Sequence, residues 1–105
     1  NEDFYVMYLN RGHKVLGIYP HTKGGINYTI ADVRLILSVG LKIAASSIML
    51  SHNHPSGSLK PSQADIDLTR KIKQAATMME ITLLDHIIVI PEKGEYYSFA
   101  EEGVF

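Results

Sequence analysis

The sequence predicts a layered α/β domain built on a mixed sheet. Three observations carry that reading. Apolar runs of strand length and stripes of helical period interleave in the order β-β-α-β-α-β-β. The 105 residues suit one domain, and 46% hydrophobic against 20% charged residues is a globular composition. Turn residues separate the runs, with no repeat, low-complexity tract or linker.

Residues 4–9 (FYVMYL) are aromatic and apolar throughout and read as a buried strand. Asn10-Arg11-Gly12 is a turn. Residues 14–21 (KVLGIYPH) return as an antiparallel strand, whose end Pro20 makes irregular or places at an edge. Residues 22–27 hold Gly24-Gly25 and form a loop. Val33, Ile36, Leu37, Gly40, Leu41 and Ala44 keep helical spacing, with Asp32 near the start. Residues 47–51 (SIMLS) read as a central strand that delivers His52. Residues 53–61, with two prolines and a glycine, are a loop. Leu68, Ile72, Ala75, Ala76 and Met79 make a second helical stripe, and Met78 and Met79 are read as helix and core material. Residues 82–90 form one or two strands broken near Asp85-His86. Gly94 is a turn and residues 95–98 a short strand. Ser98 and Glu101 then resemble a capping box for a terminal helical turn.

Composition narrows the function classes. The chain has no cysteine, which excludes disulfides and thiolate zinc sites, so a metal must be held by histidine and carboxylate. A cytoplasmic location fits this. The formal net charge is -1, and the basic residues are scattered apart from Arg70, Lys71 and Lys73 on a predicted helix. This domain therefore carries no direct nucleic-acid footprint. No apolar run reaches the roughly 18 residues of a membrane helix. The chain starts at Asn1 rather than methionine and is read as a fragment of a longer chain.

The stretch SHNHPSGSLKPSQAD, residues 51–65, concentrates the chemistry. Residues i and i+2 of a strand point to the same side, so His52 and His54 at a strand end can aim both rings at one point. Asp65 lies three residues before Leu68, beside the apolar stripe of the second helix. An inward carboxylate needs a partner. The competing account is local: Ser62 is a good N-cap, and Asp65 at the third helical position favours the helix dipole. The combination of strand end, HxHP, tight loop and a Ser–Asp pair three apart favours a bound divalent metal. Asp85-His86 reads either as a satisfied polar pair at a strand crossing or as a group that orients a ligand histidine.

His52-x-His54-Pro55 followed by Ser62-x-x-Asp65 resembles the JAMM motif of JAB/MPN metalloproteases. The longer stretch HNHPSGSLKPSQAD, with LLDHIIV at 83–89 and EYYSFAEEG at 95–103, is similar to the RadC branch of that family, often labelled DNA repair proteins. The likeness spans nearly the whole chain, residues 1–105 as one domain. It implies a three-layer mixed-sheet fold like that of cytidine deaminases. It also implies one zinc ion on His52, His54 and Asp65, and Ser62 helping to hold an oxyanion. The implied reaction is hydrolysis of a peptide or isopeptide bond, with zinc acidifying water and polarising the carbonyl.

One departure matters. The family's general base is a glutamate on the second strand. Its position falls at or next to Tyr19, and neither Ile18, Tyr19 nor Pro20 is acidic. Three readings compete: a zinc-binding but silent module acting through protein or nucleic-acid partners, His21 as the base, or Glu2 or Asp3 approaching from the neighbouring strand. A zinc deaminase is disfavoured, because those enzymes use cysteine ligands. Substrate and oligomeric state are not legible.

Overall fold

The computed structural model describes residues 3–21, 31–54 and 57–105. Glu2, Gly24-Gly25 and Pro55 lie outside them. The elements run β1 (Phe4–Leu9), β2 (Val15–Pro20), α1 (Val33–Lys42), β3 (Ser47–Asn53), α2 (Gln63–Met78), β4 (Thr82–Ile90) and β5 (Glu95–Ser98), with a single 3-10 turn at Pro91–Lys93. The order expected from the sequence is the order found.

The sheet order is β2-β1-β3-β4-β5. β1 is antiparallel to both β2 and β3, β3 and β4 are parallel, and β4 and β5 are antiparallel. The mixed α/β class predicted from the sequence is therefore present. The hairpin between β1 and β2 turns on Asn10, whose side chain accepts from Lys14 N at 2.9 Å, and on His13 in the left-handed region at φ 61°.

Strand alternation sorts the sheet into two faces. Phe4, Val6 and Tyr8 of β1, Ile48 and Leu50 of β3 and Leu83 of β4 share one core with Ile36 and Leu37 of α1 and Ile72 and Ala76 of α2. Both helices therefore cover the same face. Gly40 belongs to that packing: a Cβ there would stand 3.4 Å from both Tyr8 and Ile81 side chains. On the opposite face Tyr5, Ile18 and Tyr96 are exposed and Met7, Met49, Ile87 and Val89 half-buried. The second helical layer that the family resemblance implies is not supplied by the described residues.

The register of β3 on β4 slips between Ile48 and Met49, so that Ile48 faces Leu83 but Met49 faces Asp85. Leu84 is the extra residue of a bulge. A bulge re-aims the side chains beyond it. Without it, strand alternation would turn Asp85, not His86, to the helical face. With it, His86, Ile88 and Ile90 point into the core and are buried. The strand is continuous through Asp85-His86, not broken there.

Two further sequence expectations are corrected. Met78 is 82% exposed and Met79 is the C-cap of α2, also exposed, so neither is core. After β5 the chain makes a turn instead of a helix. Ser98 Oγ does accept from Glu101 N at 3.0 Å, but it donates to Asp85 Oδ2 at 2.5 Å, and the Glu101 carboxylate accepts from Tyr96.

Ile72 of α2 is fully buried against the sheet. Ile72→Ala should cost about 2–5 kcal/mol, as loss of buried methylenes plus the cavity left behind. Met78→Ala should change stability by less than about 0.5 kcal/mol. Urea denaturation of both variants checks the contrast, and equal midpoints would contradict the packing described.

Candidate metal centre

The site forms where the carboxyl end of β3 meets the amino end of α2. His52 is the penultimate residue of β3 and pairs with Phe4 on one side and Ile88 on the other. His54 continues the strand direction for one more bond, its amide donating to Val89 O at 3.2 Å. Their ring centroids lie 4.7 Å apart. The chain then turns with Gly57 at φ 80°, a conformation that suits glycine.

Ser62 caps α2. Its Oγ accepts from Asp65 N at 3.0 Å, and its own amide donates to Asp65 Oδ2 at 2.9 Å. This is a full capping box with aspartate as the reciprocal acid. The cap and ligand accounts of Asp65 are therefore not alternatives. The capping bond holds the carboxylate so that Oδ2 lies 3.2 Å from His54 Nε2 and Oδ1 3.6 Å from His52 Nε2.

Among the described residues, His52, His54 and Asp65 are the group whose potential ligand atoms all lie within 4.8 Å of one another. Their donor chemistry fits a cation. His54 Nδ1 lies 2.7 Å from Ser58 O, which can only accept, so that nitrogen carries a hydrogen and a neutral ring presents a lone pair at Nε2. His52 is 2% exposed, and its Nε2 is buried with no hydrogen-bond partner. A buried nitrogen left in that state is costly unless something electropositive sits before it. Two imidazoles and a carboxylate are a donor set that could hold a divalent metal ion.

Burial pushes the Asp65 carboxyl up, but a positive or hydrogen-donating His52 facing it, with the Ser62 amide and hydroxyl, outweighs burial and holds the acid well below the ordinary carboxylate range; a cation held between ring and carboxylate would act in the same sense. Asp65 is anionic at neutral pH. Phe4 stacks over His52 at 6.0 Å, giving an apolar wall on that side.

His86 stands directly behind His52, its Nε2 2.7 Å from His52 Nδ1. Its far nitrogen meets Thr69 Oγ1 at 2.6 Å, and Phe99 stacks on its other face at 4.5 Å. Sequence reasoning does not single out Thr69. The signal is a modest one: a polar residue four after Asp65, on the buried side of a helix.

The candidates for the base are not members of the His52, His54 and Asp65 group. His21 has its Nε2 3.0 Å from Tyr8 Oη, and burial holds the imidazole below the usual histidine range. Tyr19 pairs with Val6, and its ring folds back over Gly17, where a Cβ would stand 2.6 Å from Tyr19 Cε1. Because Gly17 pairs with Tyr8 and His52 with Phe4, that lean takes the ring away from the His52 level of the sheet. Asp3 is exposed and lines, with His52 and Asn53, a cavity of about 210 Å³. Arg70 donates to Val104 O and Lys73 sits over the Phe105 ring, so two of the three clustered cations serve the end of the chain. No helix among the described residues is long and apolar enough to cross a membrane.

Residues 1–104 match the family model of the RadC-like JAB domain. The chain is 48% identical over its whole length to a UPF0758 protein of Flavobacterium johnsoniae, covering 45% of that protein. It is 44% identical over 98% of its length to a UPF0758 protein of Porphyromonas gingivalis, again covering 45%. The chain thus spans less than half the length of these relatives. It belongs to the RadC-like JAB family.

His86 is fully buried, and burial, with the neighbouring histidines, pushes its imidazole down to about 3 from an ordinary value of 6.5. Because the folded value is depressed, the unfolded chain takes up the proton first. The stability this group contributes is whole above about 6.5 and is lost as pH falls toward 3. Metal-free protein should lose up to about 1.4 kcal/mol per pH unit from this source within that window. Denaturant titrations at several pH values should show a shallower fall for His86→Phe. Parallel curves would mean His86 is not buried neutral.

Proposed function

We propose that this RadC-like JAB domain holds one zinc ion on His52, His54 and Asp65 and hydrolyses an amide bond in a peptide or isopeptide substrate. The observation that supports this is the convergence of two imidazole Nε2 atoms on a capped carboxylate, with the His52 nitrogen buried and unpartnered. Zinc at such a set supplies Lewis-acid polarisation of a carbonyl and acidification of water. The chain's own residues would do the rest. Ser62 holds Asp65 through its amide and would offer its hydroxyl to the oxyanion that develops on the amide carbonyl. Phe4 excludes water from one side of His52. His21 is the titratable group we assign to proton transfer. The absence of cysteine is in keeping with a cytoplasmic setting.

A second reading has its own support. Tyr19 stands at or next to the family's glutamate position, and its ring leans away from the ligands. A domain that binds zinc without turnover, acting through protein or nucleic-acid partners, would have no need of a carboxylate there.

Metal analysis of protein purified without chelator should find about one zinc per chain. The double substitution His52→Ala and His54→Ala should abolish it, and retention of zinc in that variant would refute the ligand set. On a peptide or isopeptide substrate, Tyr19→Glu should raise hydrolysis by about 10²-fold or more, the usual worth of a placed general base. Zinc-loaded wild type and Tyr19→Glu that are both inactive would leave the silent module as the reading that stands.

A further inference from the structure

A chain of hydrogen bonds runs from the back of His52 to a single hydroxyl. His52 Nδ1 lies 2.7 Å from His86 Nε2, His86 Nδ1 lies 2.6 Å from Thr69 Oγ1, and Thr69 Oγ1 lies 2.6 Å from Asp65 O. His86 and Thr69 are fully buried and His52 nearly so.

The hydrogens can be counted along this chain. A carbonyl oxygen has none to give, so the hydrogen between Thr69 and Asp65 O belongs to the hydroxyl. A threonine hydroxyl has only one. His86 Nδ1 must then be the donor to Thr69 Oγ1. An imidazolium at His86 would be a buried charge with no carboxylate in contact: Asp65 lies on the far side of His52 and is outweighed by burial and the neighbouring histidines, and the adjacent Asp85 carboxylate is turned to Ser98 Oγ at 2.5 Å and Ala100 N at 2.9 Å. His86 is therefore the neutral Nδ1–H form, and its Nε2 accepts. The donor to it is His52 Nδ1. In the neutral ring that leaves His52 Nε2 bare, and this is the nitrogen that stands 3.6 Å from Asp65 Oδ1.

We propose that Thr69, acting through His86, sets the tautomer of His52, so that the lone pair and not a hydrogen is presented to the metal. This rests on the metal-centre reading above. Thr69 and His86 are positioning residues: neither is placed on the metal, and each acts through the ring in front of it. The geometry gives the device a second property. Thr69 follows Asp65 by one helical turn and hydrogen-bonds that residue's own carbonyl. The two ends of the chain are thus the two sides of the site. Asp65 brings its carboxylate from the front and anchors the relay from behind, so any slide of α2 along the sheet moves ligand and relay together.

The tautomer can be read without metal or substrate. Long-range ¹H–¹⁵N correlations on the metal-free wild-type protein near pH 7.5 should show His52 and His86 protonated at Nδ1 and bare at Nε2. A hydrogen on His52 Nε2 overturns the proposal, and this measurement needs no variant that must fold. Zinc affinity, measured by competition with a chromophoric chelator, should fall about 10- to 100-fold in Thr69→Val, the usual effect of losing such an outer partner. Thr69→Ser, which restores the hydroxyl, should return it to near the wild-type value. Unchanged affinity in folded Thr69→Val overturns the proposal. A wild-type protein that takes up no zinc overturns the metal-centre reading, and with it the purpose of the relay; the tautomer on metal-free protein tells that failure from a failure of the relay itself.

Discussion

The structure turns on the orientation of one carboxylate. Asp65 accepts from the Ser62 amide through Oδ2 while its own amide donates to Ser62 Oγ. Those two bonds use the unsatisfied first turn of α2, where a negative charge is favoured by the helix dipole. They also remove the side chain's freedom to turn outward. Held this way, the carboxylate confronts two imidazole nitrogens at 3.2 and 3.6 Å. His54 reaches Ser58 O with its other nitrogen, so neutral His54 has only a lone pair to offer toward Asp65. With both rings neutral, acceptor faces acceptor, and a positive charge between them, a proton or a metal ion, makes the arrangement favourable. The helix cap and the candidate metal site are one construction.

The sheet supplies the other half. β3 ends at His52 and Asn53 beside the parallel β4, so the site opens at the carboxyl ends of adjacent parallel strands, where α/β folds commonly place ligands. What lies behind His52 is decided by the bulge at Leu84. Shift the register by one residue and Asp85, a charged group, would enter the core in place of His86. As built, Asp85 instead ties β4 to the end of β5 and the turn after it, through Ser98 and Ala100. The pair Asp85-His86 thus serves both purposes weighed from the sequence. The aspartate secures a strand crossing, and the histidine stands against a ligand.

The grouping of His52, His54 and Asp65 is legible in the sequence because its chemistry is local. HxH at the end of an apolar run, and a Ser–Asp pair three apart at a helix start, are patterns that a strand's period and a helix cap dictate whatever the fold around them. The bulge is not legible, since one surplus leucine inside the apolar run 82–90 leaves no mark on hydrophobic periodicity. Thr69 is hidden because a threonine in a helical stripe reads as tolerated polarity until the sheet brings a histidine to it. Met78 and Met79 mislead for a related reason. Apolar character marks them as core, but α2 ends there and its last turn runs past the sheet's cover.

One device occurs twice. Thr69 Oγ1 donates to a carbonyl within α2 and lies 2.6 Å from His86 Nδ1; Tyr8 Oη donates to Ile36 O within α1, at 2.7 Å, and lies 3.0 Å from His21 Nε2. The same count of hydrogens applies. With its single hydrogen spent on the helix carbonyl, Tyr8 can only accept, so His21 Nε2 is the donor and Nδ1 the bare nitrogen. Burial raises the Tyr8 hydroxyl and removes the chance that it becomes a phenolate acceptor instead. Any proton that His21 takes from a substrate or water must therefore arrive at Nδ1, and the resulting imidazolium would keep its bond to Tyr8 unchanged. A base at the end of β2 is thus chemically possible without disturbing the packing of α1. For the base role proposed above, the Nδ1 edge of the ring, and not the Nε2 edge tied to Tyr8, is the one that would have to face the water.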